Sequence, residues 1–109
     1  MATAPETAEF LLEQLGDRVR LRKMFGEYAV KQGDKTLALL CDDALFVRQL
    51  PAVTAWLGEP VAGFPYPGAK PWWRIDPDQW EDADWLCTLI ALLAEVLPEP
   101  APKGRRGRH

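Results

Sequence analysis

Histidine is almost missing from this chain of 109 residues: the one present, His109, is the last residue. That excludes a histidine-based catalytic triad and a histidine metal cluster. Cysteine is nearly as scarce. Cys41 and Cys87 are far apart, form no Cys-x-x-Cys pair and sit in apolar stretches, so each reads as a small buried hydrophobe. No apolar run approaches the ~20 residues needed to span a bilayer. The opening Met1-Ala2-Thr3-Ala4-Pro5-Glu6 lacks the basic start and apolar centre of a signal peptide. The expected location is therefore cytoplasmic, with no membrane partner. No Gly-x-Gly-x-x-Gly occurs. Gly58 and Gly63 have phosphate-loop spacing, but Phe64-Pro65 stand where Gly-Lys-Ser/Thr chemistry would be needed.

Neither sign of charge dominates, yet the two are unevenly placed. Residues 1–97 carry nine basic and fifteen acidic side chains, a balance of −6. The segment 98–109 carries Lys103, Arg105, Arg106 and Arg108 against Glu99, a balance of +3. The expected organisation is one domain over 1–97 and a disordered basic tail over 98–109.

Residues 1–5 read as a loose leader. Ala8, Leu11, Leu12 and Leu15 then follow the spacing of one helix face, with Thr7 as candidate N-cap and Gly16 past the end. Arg18-Val19-Arg20-Leu21-Arg22 alternates polar and apolar, the period of a half-buried strand. Met24 to Val30 continues it, with Gly26 marking a bulge or bend. Segments 36–41 and 44–48, set off by turns at Gln32-Gly33-Asp34-Lys35 and Asp42-Asp43, complete a four-stranded meander. A short helix over Ala52 to Leu57 follows. The Pro/Gly-rich 58–71 is irregular, with at most a short edge strand near Phe64-Pro65-Tyr66, and Trp72-Trp73-Arg74-Ile75 has strand composition. Asp76-Pro77 and Asp82 are helix-start signals. The last helix, 82–97, is apolar over so much of its girth that it must be deeply packed or packed on two sides.

The candidate interaction residues are Arg18, Arg20 and Arg22, which would share one strand face, together with Trp72, Trp73 and Trp85. The arginine row could contact phosphates or an acidic partner, weakly and in a salt-sensitive way; its plainer reading is a solvated sheet face. Trp72 and Trp73 would point to opposite faces: one is core, and the other packs under the Pro-rich loop or lies exposed, as at an interface. The acids Asp76, Asp78, Glu81, Asp82 and Asp84 read as helix-start residues, favoured by ~0.3–1 kcal/mol each, rather than as a cation site. No catalytic residue, metal site or cofactor is expected.

In order and spacing the chain resembles the TfoX/Sxy family, regulators of bacterial competence, in its N-terminal domain. Met24-Phe25-Gly26, Gly33, Asp43, Leu45-Phe46-Val47-Arg48, Phe64-x-Tyr66 and Trp72-Trp73 before Ile75-Asp76-Pro77 carry the resemblance. It implies an α+β fold, a curved antiparallel sheet (a meander plus two later strands) flanked by helices in the order α-β4-α-β2-α, which the patterns above also suggest. Larger members of the family have a second, helical C-terminal domain that this chain does not show. The expected function is a non-enzymatic regulatory module that binds a protein partner, with a homodimer formed through the last helix or a sheet face. The rival readings are a nucleic-acid module using the arginine row and tail, and a small-ligand protein using the Trp-rich 56–85 region.

Overall fold

The computed structural model describes residues 3–98; beyond Pro98, the expected disordered tail lies outside the described residues. Among the described residues the order is α1 (Pro5–Leu15), β1 (Arg20–Met24), β2 (Glu27–Gln32), β3 (Lys35–Cys41), β4 (Ala44–Val47), α2 (Pro51–Leu57), β5 (Val61–Gly63), β6 (Trp72–Ile75) and α3 (Ala83–Val96). Short 3-10 segments occupy Gly16–Arg18 and Pro77–Glu81. All strand pairings are antiparallel, in the order β1-β2-β3-β4-β6-β5. This is the expected α+β architecture in the expected order.

One face of the sheet carries the main core. Register places Leu21, Tyr28, Val30, Leu40, Leu45, Val47, Trp73 and Ile75 toward it. α3 packs against α1, α2 and β3 and buries Leu86, Leu89, Ile90 and Leu93. At about 1.5–3 kcal/mol for each fully buried Leu or Ile, these four outweigh any cap or surface pair. Packing on several neighbours is why the helix needs so wide an apolar girth. None of its large apolar residues is among the strongly exposed ones; Trp85, Leu92 and Val96 are half-buried. Trp80 is wholly buried, stacks on Phe10 at 5.9 Å and donates its indole N–H to the Ile75 carbonyl at 3.3 Å. Asp82 caps α3 as expected, its carboxylate accepting the Trp85 amide at 3.1 Å.

Several local expectations are corrected. Thr7 is not the cap of α1: Ala4 holds the N-cap position and Pro5 the first helical one. The Asp43 carboxylate instead reaches across from the β3–β4 turn and accepts both the Ala4 amide and the Thr7 hydroxyl, each at 2.8 Å. The leader is not loose from Thr3 onward. Thr3 is buried, its amide donates to the Gly26 carbonyl at 3.2 Å, and its hydroxyl donates to Glu27 Oε1 at 2.7 Å. Gly26 is not a bulge. Phe25 and Gly26, at φ 49 and 83, are the two central residues of the β1–β2 hairpin, where both positions require positive φ. Arg18 lies outside β1, in the 3-10 segment that ends α1. The edge strand near Phe64 falls earlier, at Val61–Gly63, because Pro65 has no amide to donate. Asp76-Pro77 opens a 3-10 segment rather than the helix itself.

Candidate functional site

The alternation that turns one set of side chains toward the helices turns the other set to the opposite face. There β1 presents Arg20, Arg22 and Met24; β2 presents Glu27, Ala29 and Lys31; β3 presents Leu39 and Cys41; β4 presents Ala44 and Phe46; β6 presents Trp72 and Arg74. Among the described residues no helix covers this face. A second, smaller apolar cluster of Cys41, Ala44 and Phe46, flanked by Leu39 and Trp72, sits on it instead.

The Pro-rich segment after β5 shelters part of this face. Gly63 makes the close approach possible: a Cβ there would stand 3.0 Å from Phe46 Cε2 and 3.2 Å from the Arg74 Cβ. Phe64, Pro65, Tyr66 and Pro67 then face the β1–β2 hairpin tip across a groove of about 700 Å³, lined also by Met24, Phe25, Glu27, Leu39, Cys41 and Asp42. Its rim is aromatic and wet. Phe25 is 103% exposed, Phe64 64% and Tyr66 54%. Phe25 is the exceptional one. A bulky residue at φ 49 carries a backbone cost of roughly 1–2 kcal/mol, and full exposure returns no burial to offset it.

The groove's polar groups are carboxylates. Glu27 Oε1 accepts the Thr3 hydroxyl at 2.7 Å and the Asp42 amide at 3.2 Å, which fixes the Glu27 side chain at the groove end. Asp42 is exposed, and its carboxylate makes no hydrogen bond or ion pair among the described residues. At the floor, burial pushes the Cys41 thiol up to about 11, with Glu27 and Asp42 adding to the shift. At neutral pH Cys41 is therefore a thiol, not the thiolate that nucleophilic or metal chemistry uses. Among the described residues no cluster of His, Cys, Asp and Glu is arranged to hold a metal ion, and no helix is long and apolar enough to cross a membrane.

The residues singled out in the sequence do not form one site. Arg18 donates to the Leu15 carbonyl at 3.2 Å and leaves the row. Arg20 and Arg22 do share the open face of β1, but Arg20 is turned to the Gly33 carbonyl at 2.9 Å. Trp72 lies on the same face at the far side of the sheet, with the Arg48 guanidinium 5.1 Å from its ring centre. Trp73 points the other way and donates to the Thr54 hydroxyl at 2.8 Å. Trp85 is on α3, 5.3 Å from Trp56. The groove residues Phe25, Phe64 and Tyr66 were visible in the sequence only as family landmarks. A phenylalanine before glycine between two strands was the signal that could have marked the first of them.

Two similarities bear on what this arrangement is. The TfoX N-terminal domain pattern matches residues 11–96. An uncharacterized 12.7 kDa protein from the trpE 5′ region of Spirochaeta aurantia is 38% identical over 105 residues, spanning 94% of this chain and 90% of that protein.

Proposed function

The chain belongs to the TfoX N-terminal domain family, which is associated with competence regulation, and from that premise we propose that it is a non-enzymatic regulatory module that binds a partner protein in the groove between the β1–β2 hairpin and the Phe64–Pro67 loop. Its regulatory action, in transcription or competence control, follows from occupancy of that groove. The observation that carries this reading is the exposed trio Phe25, Phe64 and Tyr66 around one apolar groove. Aromatic anchors in a pocket supply most of the energy of a typical protein interface, and no helix among the described residues covers these. The open sheet face is also where any self-association would occur.

Affinity capture from the native host checks the reading. The unmodified chain should retain a partner that the Phe25→Ala, Phe64→Ala double variant loses, while both give the same circular dichroism spectrum. Equal capture by the two proteins would remove the groove from consideration.

A further inference from the structure

We infer that the groove recognises a basic segment of the partner, with a Lys or Arg side chain entering between the aromatic rings toward Glu27 and Asp42. This rests on the groove being the partner-binding site, and adds the chemistry of the group that fills it.

Four observations converge. Among the described residues, the ionisable groups lining the groove, apart from the protonated Cys41 thiol and the Tyr66 phenol, are the carboxylates of Glu27 and Asp42, with no Lys or Arg. The Asp42 carboxylate has no partner among the described residues, so a cation arriving there breaks no ion pair with any of them. Phe25, Phe64 and Tyr66 expose ring surface beside those carboxylates. A cation over an aromatic face gains about 0.5–1 kcal/mol when exposed and about 2 or more when desolvated. The floor of Leu39, Met24 and Pro65 is apolar, which suits the aliphatic stem that Lys and Arg bury behind their charge.

The field of the folded part points the same way. Nine basic against fifteen acidic side chains over 1–97 attract a basic segment from a distance and repel a polyanion. The cations of the same face, Arg20, Arg22, Lys31 and Arg74, stand outside the groove lining, Arg22 and Arg20 roughly 7 Å and 13 Å along β1 from Met24. An acidic anchor, or a stacked base with its phosphate, would set negative charge against Glu27 and Asp42.

The test uses the full ¹⁵N-labelled chain and short Gly/Ser peptides that differ only in a central pair, Arg-Arg, Leu-Leu or Glu-Glu, with oligothymidylate as a polyanion. The Arg-Arg peptide should shift the amide resonances of Phe25, Gly26, Asp42 and Tyr66. It should bind about tenfold tighter than the Leu-Leu peptide, the scale of a partly desolvated cation–π and ion contact. Asp42→Asn, which removes the charge and keeps a residue at ease with positive φ, should erase most of that preference, as should high salt. Equal shifts from Arg-Arg and Leu-Leu would overturn the basic partner while leaving the groove as a binding site. Stronger shifts at the groove from Glu-Glu or oligothymidylate would overturn it in favour of an anionic occupant. Arg-Arg shifts confined to Asp78–Asp84, or absent from the groove, would overturn it as well, and the capture experiment above would then decide separately whether the groove binds a protein at all.

Discussion

At the scale of single residues, what stands out is a side chain placed against its own interest. Phe25 has left-handed backbone geometry and no burial, so folding gains nothing from its ring. Asn at this position suits the two-residue hairpin better. Phe25→Asn should therefore raise stability by about 1 kcal/mol while weakening partner capture, with urea denaturation reading the first effect. A destabilised Phe25→Asn would mean that the ring packs in solution and is not held out for a partner. Asp42 and Asp43, also at positive φ, are ordinary by comparison, because short polar side chains tolerate that region. The sequence marked them correctly as a turn, but proximity in space alone gives Asp43 its second task.

At the scale of elements, that task is to hold the start of α1. The helix lacks a local side-chain cap and takes one from the β3–β4 turn, a contact across 39 positions of sequence. Losing a helix cap costs about 0.5–2 kcal/mol. Asp43→Ala removes both hydrogen bonds and puts a β-carbon without a polar group at φ 60, so a loss of roughly 2–3 kcal/mol is expected by adding the cap to the left-handed penalty. Asp43→Asn keeps an acceptor and the backbone preference and should cost under about 1 kcal/mol. Thermal melts of the two variants separate these outcomes, and an Asp43→Ala variant as stable as the unmodified chain would show that the carboxylate does not cap the helix. The elements themselves were largely legible, because periodicity in α1, α3 and the strands reports burial that occurs. Arg18 and Gly26 were misplaced for one reason: alternation continues through a hairpin or a 3-10 segment as easily as along a strand, and only hydrogen bonding shows where the strand stops.

At the scale of the whole molecule, the sheet divides the work. Its helix face holds the main core with α1, α2 and α3, and its other face holds a small cluster and the groove. Stability and recognition should then separate by mutation. Leu89→Ala, in the wholly buried layer under α3, should cost about 2–5 kcal/mol. Phe64→Ala, with most of its ring in solvent, should cost under about 1 kcal/mol, by the usual smallness of exposed substitutions, yet weaken capture. Chemical denaturation of both variants beside the capture assay checks the division, which fails if Phe64→Ala unfolds the domain.

By itself the sequence determined the fold class, the element order, the helix-side core and the family, because each is written in patterns a few residues long that bury apolar side chains. Composition alone also shows a single histidine, too few for a cluster of histidine metal ligands. Tertiary structure decided the rest. It broke the arginine row by starting β1 only at Arg20, and it brought Phe25 to face Phe64 and Tyr66. The last two lie some forty residues from the first, and no local preference encodes their meeting. It follows from the β1–β2 hairpin and the proline-rich loop sharing the face that the helices leave open.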